Sequence, residues 1–227
     1  MLLDIISGSS VSVSDAVIYI LSALAVIFLT MPVHEFAHAF AANKLGDNSQ
    51  KYGGRLTLNP FAHIDWFGAM CILLVGFGWA KPVQVNPYNF KNYKRDMAIT
   101  AFAGPLANLV VAFICVFIYN VFAFVYYITS FSFIVYVALF FNYIAIINIS
   151  LAVFNLIPVP PLDGSKILAI ILPERFYYKL MQYERYIYFA VLLLVFTGAL
   201  DGPISFARYY VHSFFVYVTA LPFNLFI

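Results

Sequence analysis

The sequence predicts an all-α polytopic membrane protein. Three long helices make its core, and one or two more follow at the C-terminal end. A re-entrant element and short β-strands lie on one face. Three observations predict this. Only 10% of the 227 residues are charged, where a soluble domain carries about a quarter. Residues 16–33 hold no charge at all, close to the ~20 apolar residues that one bilayer crossing needs. The basic residues gather in three regions separated by apolar runs. With no repeat, low-complexity tail or obvious soluble domain, residues 1–227 read as one membrane-embedded unit with its core at about 16–175.

The first helix is expected over about 16–42. The N-terminus, Met1-Leu2-Leu3-Asp4, lacks the basic region of a signal peptide, so this helix is expected to stay in the mature protein. Residues 53–58 and 82–86 alternate weakly between polar and apolar, a pattern that suits short strands able to pair with each other. Between them, residues 66–79 are apolar but too short for a span, contain three glycines and are framed by Trp66 and Trp79. A re-entrant or interfacial element fits this, since indole rings favour the membrane boundary. Further helices are expected over about 97–125, 131–157 and 183–200. A last one, over 204–224, is open between spanning and lying at the interface because it carries Arg208 and His212. Cys71 and Cys115 fall in apolar stretches and read as buried small hydrophobes.

Charge sets the orientation. If residues 66–79 do not cross, eleven of the twelve Lys and Arg residues share one face, following the first helix, preceding the second and separating the third from the fourth. The positive-inside rule makes that face cytoplasmic and the N-terminus external. The net charge of +2 points to no partner by itself. The bilayer is the expected surroundings and no nucleic-acid role is expected.

Chemistry concentrates near the end of the first helix, in His34-Glu35-Phe36-Ala37-His38. Residues four apart share a helix face, so both imidazoles can reach one ion. Imidazole at this spacing suits zinc, and a catalytic zinc site takes three protein ligands with a fourth position open. Glu35 stands beside the pair, where it could accept a proton from water. If the helix leaves the bilayer near Asn43, His34 lies roughly 13 Å inside at 1.5 Å per residue. Ionisable groups at such depth are expensive and by default functional.

The third ligand should lie at similar depth. The segment ending Phe154-Asn155-Leu156-Ile157-Pro158-Val159-Pro160-Pro161-Leu162-Asp163-Gly164 descends to the same side, and its prolines stop the helix. Asp163 then sits on irregular chain, which at membrane depth must face protein or a watery cavity. It either ligates the ion or caps a following helix. His63 and Asp65, in a loop near the first helix's end, could bond each other, line a metal entry path or face water; solvated loop residues are the commoner case, and both are left outside the site.

Together these features resemble the site-2 protease family of intramembrane zinc metalloproteases, in the small bacterial and archaeal form without a PDZ domain. The resemblance rests on His34-Glu35-Phe36-Ala37-His38, on Asn155 through Gly164, and on Ala103-Gly104-Pro105-Leu106-Ala107-Asn108. It covers roughly residues 15–175 in order. It implies a bacterial or archaeal cell-membrane protein with one zinc ion held by His34, His38 and Asp163. It also implies that Glu35 is the general base and that Asn155 and Asn108 contact a membrane-protein substrate. Read from its residues alone, Asn108 could equally be an ordinary hydrogen-bonding residue of a packed helix.

The function expected is hydrolysis of peptide bonds within or near transmembrane segments, as in regulated intramembrane proteolysis. A metal transporter would need polar residues reaching both faces, and a non-catalytic scaffold would leave Glu35 without a task. Substrate identity and oligomeric state are not encoded in any motif.

Overall fold

The computed structural model describes residues 12–75 and 78–223. Parts of the expected elements fall outside these: the N-terminal residues placed externally, residues 76 and 77 of the short apolar element, and residue 224.

Helix α1, Val13–Lys44, is 32 residues long. Ser12 caps it by accepting the Asp15 N–H. It changes pitch at Val26–Thr30, a π-helical turn in which the Met31 N–H reaches back five residues to the Val26 carbonyl. Pro32 explains the position: it offers no N–H and its ring crowds the preceding turn, so the helix widens there. Thr30 Oγ1 donates to the Val26 carbonyl at 3.2 Å as well.

Two short helices, α2 (Ser49–Tyr52) and α3 (Pro60–His63), lead to α4, Trp66–Val75. Asp65 caps α4 through Oδ1, which accepts the Phe67 and Gly68 N–H groups. The chain then doubles back. A Cβ on Gly68 would lie 2.0 Å from the Trp79 carbonyl oxygen, so only glycine admits the returning strand of chain. The Lys81 N–H donates to the His63 carbonyl at 2.8 Å, and the segment thus starts and finishes side by side.

No strand forms among the described residues, which corrects the expectation for 53–58 and 82–86. The physical reason is where the backbone groups go. In the first segment the Arg55 N–H closes a local turn on Gln50 and the Thr57 carbonyl accepts a ring N–H of His63. In the second, the Val83 N–H donates to Glu35 and the Asn86 N–H to Asp47. Residues 80–86 form an extended strap bonded to side chains of the α1 region.

A short 3-10 turn, Pro87–Asn89, precedes α5, Tyr93–Thr129. Its 37 residues measure roughly 55 Å, well beyond a ~30 Å hydrocarbon core. Asn92 caps its start and Ser130, at φ 55°, its end. Helix α6, Phe133–Asn155, packs along α5, and α5 packs along α1. Small or branched residues fill the seams: Ala23, Val26, Ala112, Val116, Ala145 and Ile149 are all solvent-inaccessible. Ser22 Oγ donates to the Phe140 carbonyl, tying α1 to α6. Cys71 and Cys115 are buried free thiols.

After the prolines, α7 (Asp163–Leu168) and α8 (Glu174–Gln182) lead to α9 (Glu184–Phe196) and α10 (Asp201–Ala220). The helix expected over 183–200 forms as α9 and stops four residues early. Thr197 closes α9, Gly198 adopts φ +72°, and α10 departs at 77°. At 13 residues, α9 is roughly 20 Å long and too short to cross alone. Helix α10 packs on both α5 and α6 through polar rungs. Asn120 donates to Thr219 at 2.7 Å, His212 Nε2 meets Asn142 Oδ1 at 2.8 Å, and Arg208 reaches Ser150 at 3.4 Å. Among the described residues three helices, α1, α5 and α6, are long and apolar enough to cross a membrane, or up to four spans if α9 and α10 count as one.

Candidate metal centre and active site

The part of α1 beyond the π turn carries His34, Glu35 and His38, all buried. His34 and His38 lie one turn apart with Nε2 atoms 3.0 Å from each other. Asp163, the first residue of α7, brings Oδ2 to 3.1 Å from His38 Nε2 and 3.6 Å from His34 Nε2. Asp163 reaches this point because the Pro158–Pro161 turn folds the chain back under the end of α6. A Cβ on Gly164 would lie 2.4 Å from the Leu156 carbonyl oxygen.

The arrangement fits a metal. A tetrahedral zinc ion with bonds of about 2.0–2.1 Å keeps its nitrogen and oxygen ligands roughly 3.3 Å apart. The three separations, 3.0, 3.1 and 3.6 Å, straddle that value. His38 Nδ1 lies 2.7 Å from the Thr100 carbonyl oxygen, which can only accept, so Nδ1 carries the proton and Nε2 presents a lone pair. That lone pair faces a carboxylate oxygen and a second imidazole nitrogen. Such a convergence is stable round a cation or a shared proton.

Helix α5 shapes the other wall. Thr100, Gly104 and Asn108 lie at i, i+4 and i+8 on one face. A Cβ on Gly104 would fall 2.2 Å from His38 Nε2 and 2.7 Å from His34 Cε1, so the bare backbone is what lets both imidazoles fit. Thr100 Oγ1 and Asn108 Oδ1 are buried with no hydrogen-bond partner. Buried polar atoms in that state normally await water or ligand.

These groups open onto a cavity of about 730 Å³. Its wall includes all six residues singled out from sequence: His34, Glu35, His38, Asn108, Asn155 and Asp163. Tyr188, Val191, Leu192 and Val195 of α9 line the opposite side. Glu35 Oε2 accepts the Val83 N–H at 3.1 Å. Asn155 donates to its own helix at the Leu151 carbonyl. Lys166 places Nζ 3.3 Å from Asp163 Oδ1, the oxygen turned from the histidines.

His63 is not solvated as expected. It is fully buried and its Nε2 donates to the Thr57 carbonyl at 2.9 Å, bracing the loop under the strap. Asp65 both caps α4 and lines the cavity. Sequence reasoning missed Thr100, Val83 and Lys166. The first two act through backbone groups, which no side-chain pattern announces. Lys166, one turn beyond Asp163, was legible by its i+3 spacing.

Comparison with known proteins finds related metalloproteases. A sequence profile described as peptidase family M50 matches residues 130–198, a stretch that contains Asn155 and Asp163. The chain is 39% identical over 171 residues to "Putative zinc metalloprotease YwhC" of Bacillus subtilis (strain 168), an alignment covering 75% of this chain and 78% of that protein. It is 27% identical over 178 residues to "Putative zinc metalloprotease Rip2" of Mycolicibacterium smegmatis, covering 76% and 66% respectively. No solved structure gives a significant match.

Proposed function

This chain belongs to peptidase family M50, the site-2 protease family, and is a zinc metallopeptidase; from that premise we propose that it cuts peptide bonds within or beside transmembrane segments of other membrane proteins. The observation that carries this reading is the position of the metal-binding cluster. His34 lies ten residues before the end of a membrane-length helix, or roughly 15 Å from it, in a cavity between helices. The basic residues beyond Lys44 make the near side cytoplasmic in a bacterial or archaeal cell membrane.

In this reading His34, His38 and Asp163 hold one zinc ion. Zinc bound there lowers the pKa of water toward neutrality and polarises a carbonyl. The protein's own groups do the rest. The Thr100 carbonyl fixes the tautomer of His38. Glu35 keeps one carboxylate oxygen on the Val83 N–H and takes the proton of water with the other. Asn155 and Asn108 contact the substrate backbone at the cavity wall. A helical substrate hides its carbonyls, so it must unwind before it can be cut. Residues 80–86 offer an extended segment for it to lie along. The Lys81 and Val83 N–H groups are taken by the His63 carbonyl and Glu35, and exposed Gln84 between them and Asn86 is the position where substrate backbone would pair. The segment 66–79, with its two ends side by side, is re-entrant in this arrangement.

The test uses purified protein in detergent, zinc, and a fluorescently labelled single-span helix peptide. Glu35→Gln should lower cleavage at least 10²-fold while bound zinc stays at the wild-type level. Cleavage at the wild-type rate by Glu35→Gln overturns the reading.

A further inference from the structure

We propose that Asp47 is a positioning residue for Glu35, acting through the strap of residues 80–86 together with the Pro87–Asn89 turn that continues it. The inference rests on the reading of Glu35 as the base and adds a residue that lies outside the cavity wall.

Asp47 is solvent-inaccessible and fixed to the end of α1. Gly46 turns the chain at φ +117°, and the Asp47 N–H returns to the Ala42 carbonyl at 2.9 Å. Its carboxylate is saturated by donors. Oδ1 accepts the Ser49 N–H at 3.1 Å and Asn89 Nδ2 at 2.7 Å, and Oδ2 accepts the Asn86 N–H at 2.7 Å. Asn86 belongs to the strap and Asn89 to the turn that continues it. The strap is also pressed against the helix end, where a Cβ on Gly46 would lie 3.1 Å from the Asn89 carbonyl oxygen. Asn86 Oδ1 accepts the Tyr88 N–H, and Pro82 and Pro87 restrict the segment further.

Three residues before Asn86, the Val83 N–H sits on Glu35. The strap therefore spans Glu35 on α1 and Asp47 in the turn bonded to its end, and gives a backbone N–H to each. The spans match. Glu35 and Ala42 are separated by seven helical residues, roughly 10 Å along the axis. Val83 to Asn86 is three extended residues, also roughly 10 Å. The strap is held at Asn86 by Asp47 and at Lys81 by the His63 carbonyl, so the Val83 amide is tethered on both sides of its bond to Glu35. A base displaced by about 1 Å can lose up to 10²-fold in rate.

The experiment measures kcat and KM for the labelled single-span peptide, bound zinc, and hydrogen exchange across residues 80–90. Asp47→Ala should lower kcat about 10-fold, leave KM within about twofold and zinc at the wild-type level, and speed exchange in the strap. Val83→Pro removes the donor itself and should lower kcat similarly. The double variant should be no worse than either single, because both remove one interaction. Asn89→Ala, a milder loosening of the same anchor, should fall between wild type and Asp47→Ala. An unchanged kcat in Asp47→Ala, multiplicative losses in the double variant, or zinc loss in both Asp47→Ala and Asn89→Ala would each overturn the proposal. An active Glu35→Gln would instead sink the underlying assignment of the base, so the two failures are distinguishable.

Discussion

Gly104 touches His38 so closely that a methyl group on it would lie 2.2 Å from the imidazole Nε2. The second membrane-length helix is thus in backbone contact with the histidine pair, and the space for an imidazole ring is set by the absence of one carbon atom.

Gly104→Ala should therefore separate fold from metal binding. Alanine suits a helix better than glycine by about 1 kcal/mol, so α5 itself gains. The histidines must rotate away, and zinc affinity should drop at least tenfold. Zinc titration of the purified variant, with circular dichroism showing unchanged helix content, checks this.

Metal removal should loosen the whole core. His34 and His38 come from α1 and Asp163 from α7, so one ion would tie together elements far apart in the chain. At a thousandfold excess over Kd, bound zinc stabilises the folded state by about 4 kcal/mol. Chelation should lower the melting temperature in detergent. Adding zinc back should restore it in wild type, and in Asp163→Asn much less.

Asp47 should make the strap sensitive to acid. Burial opposes its ionisation, but hydrogen bonds from Ser49, Asn89 and Asn86 outweigh that and hold its carboxyl below the usual carboxylate range. A depressed folded pKa contributes stability that is complete above the unfolded value and is lost as pH falls through the folded one. Exchange of the residue 86–90 amides should stay slow down to about pH 4 and rise below it. Asp47→Asn should be fast throughout and lack this acid step.

What was legible in the sequence was whatever a local pattern could carry. The i, i+4 spacing of His34 and His38 needs only a helix, and the prolines before Asp163 announce a break wherever they occur. The weak alternation in 53–58 and 82–86 read as strands because an extended segment and a strand look alike until their partners are known. Here the partners are Glu35, Asp47 and His63. Apolarity carried the helix over 183–200 but not its end, which Thr197 and Gly198, with its positive φ, set just after Phe196. Thr100 and Val83 were hidden for a different reason. Each contributes a backbone carbonyl or N–H, and residue type does not reveal which backbone group will face a site.

The π turn at Val26–Thr30 works as a phase shifter. One residue more than a regular turn rotates everything beyond it by about 100° about the helix axis. The half of α1 that packs through Tyr19, Ala23 and Val26 and the half that carries the histidines therefore obey two separate angular settings. A one-residue deletion that restored regular pitch would leave composition and membrane span almost untouched. It would turn His34 and His38 away from Gly104 and Asp163, so the site depends on the spacing of those five residues as much as on its own.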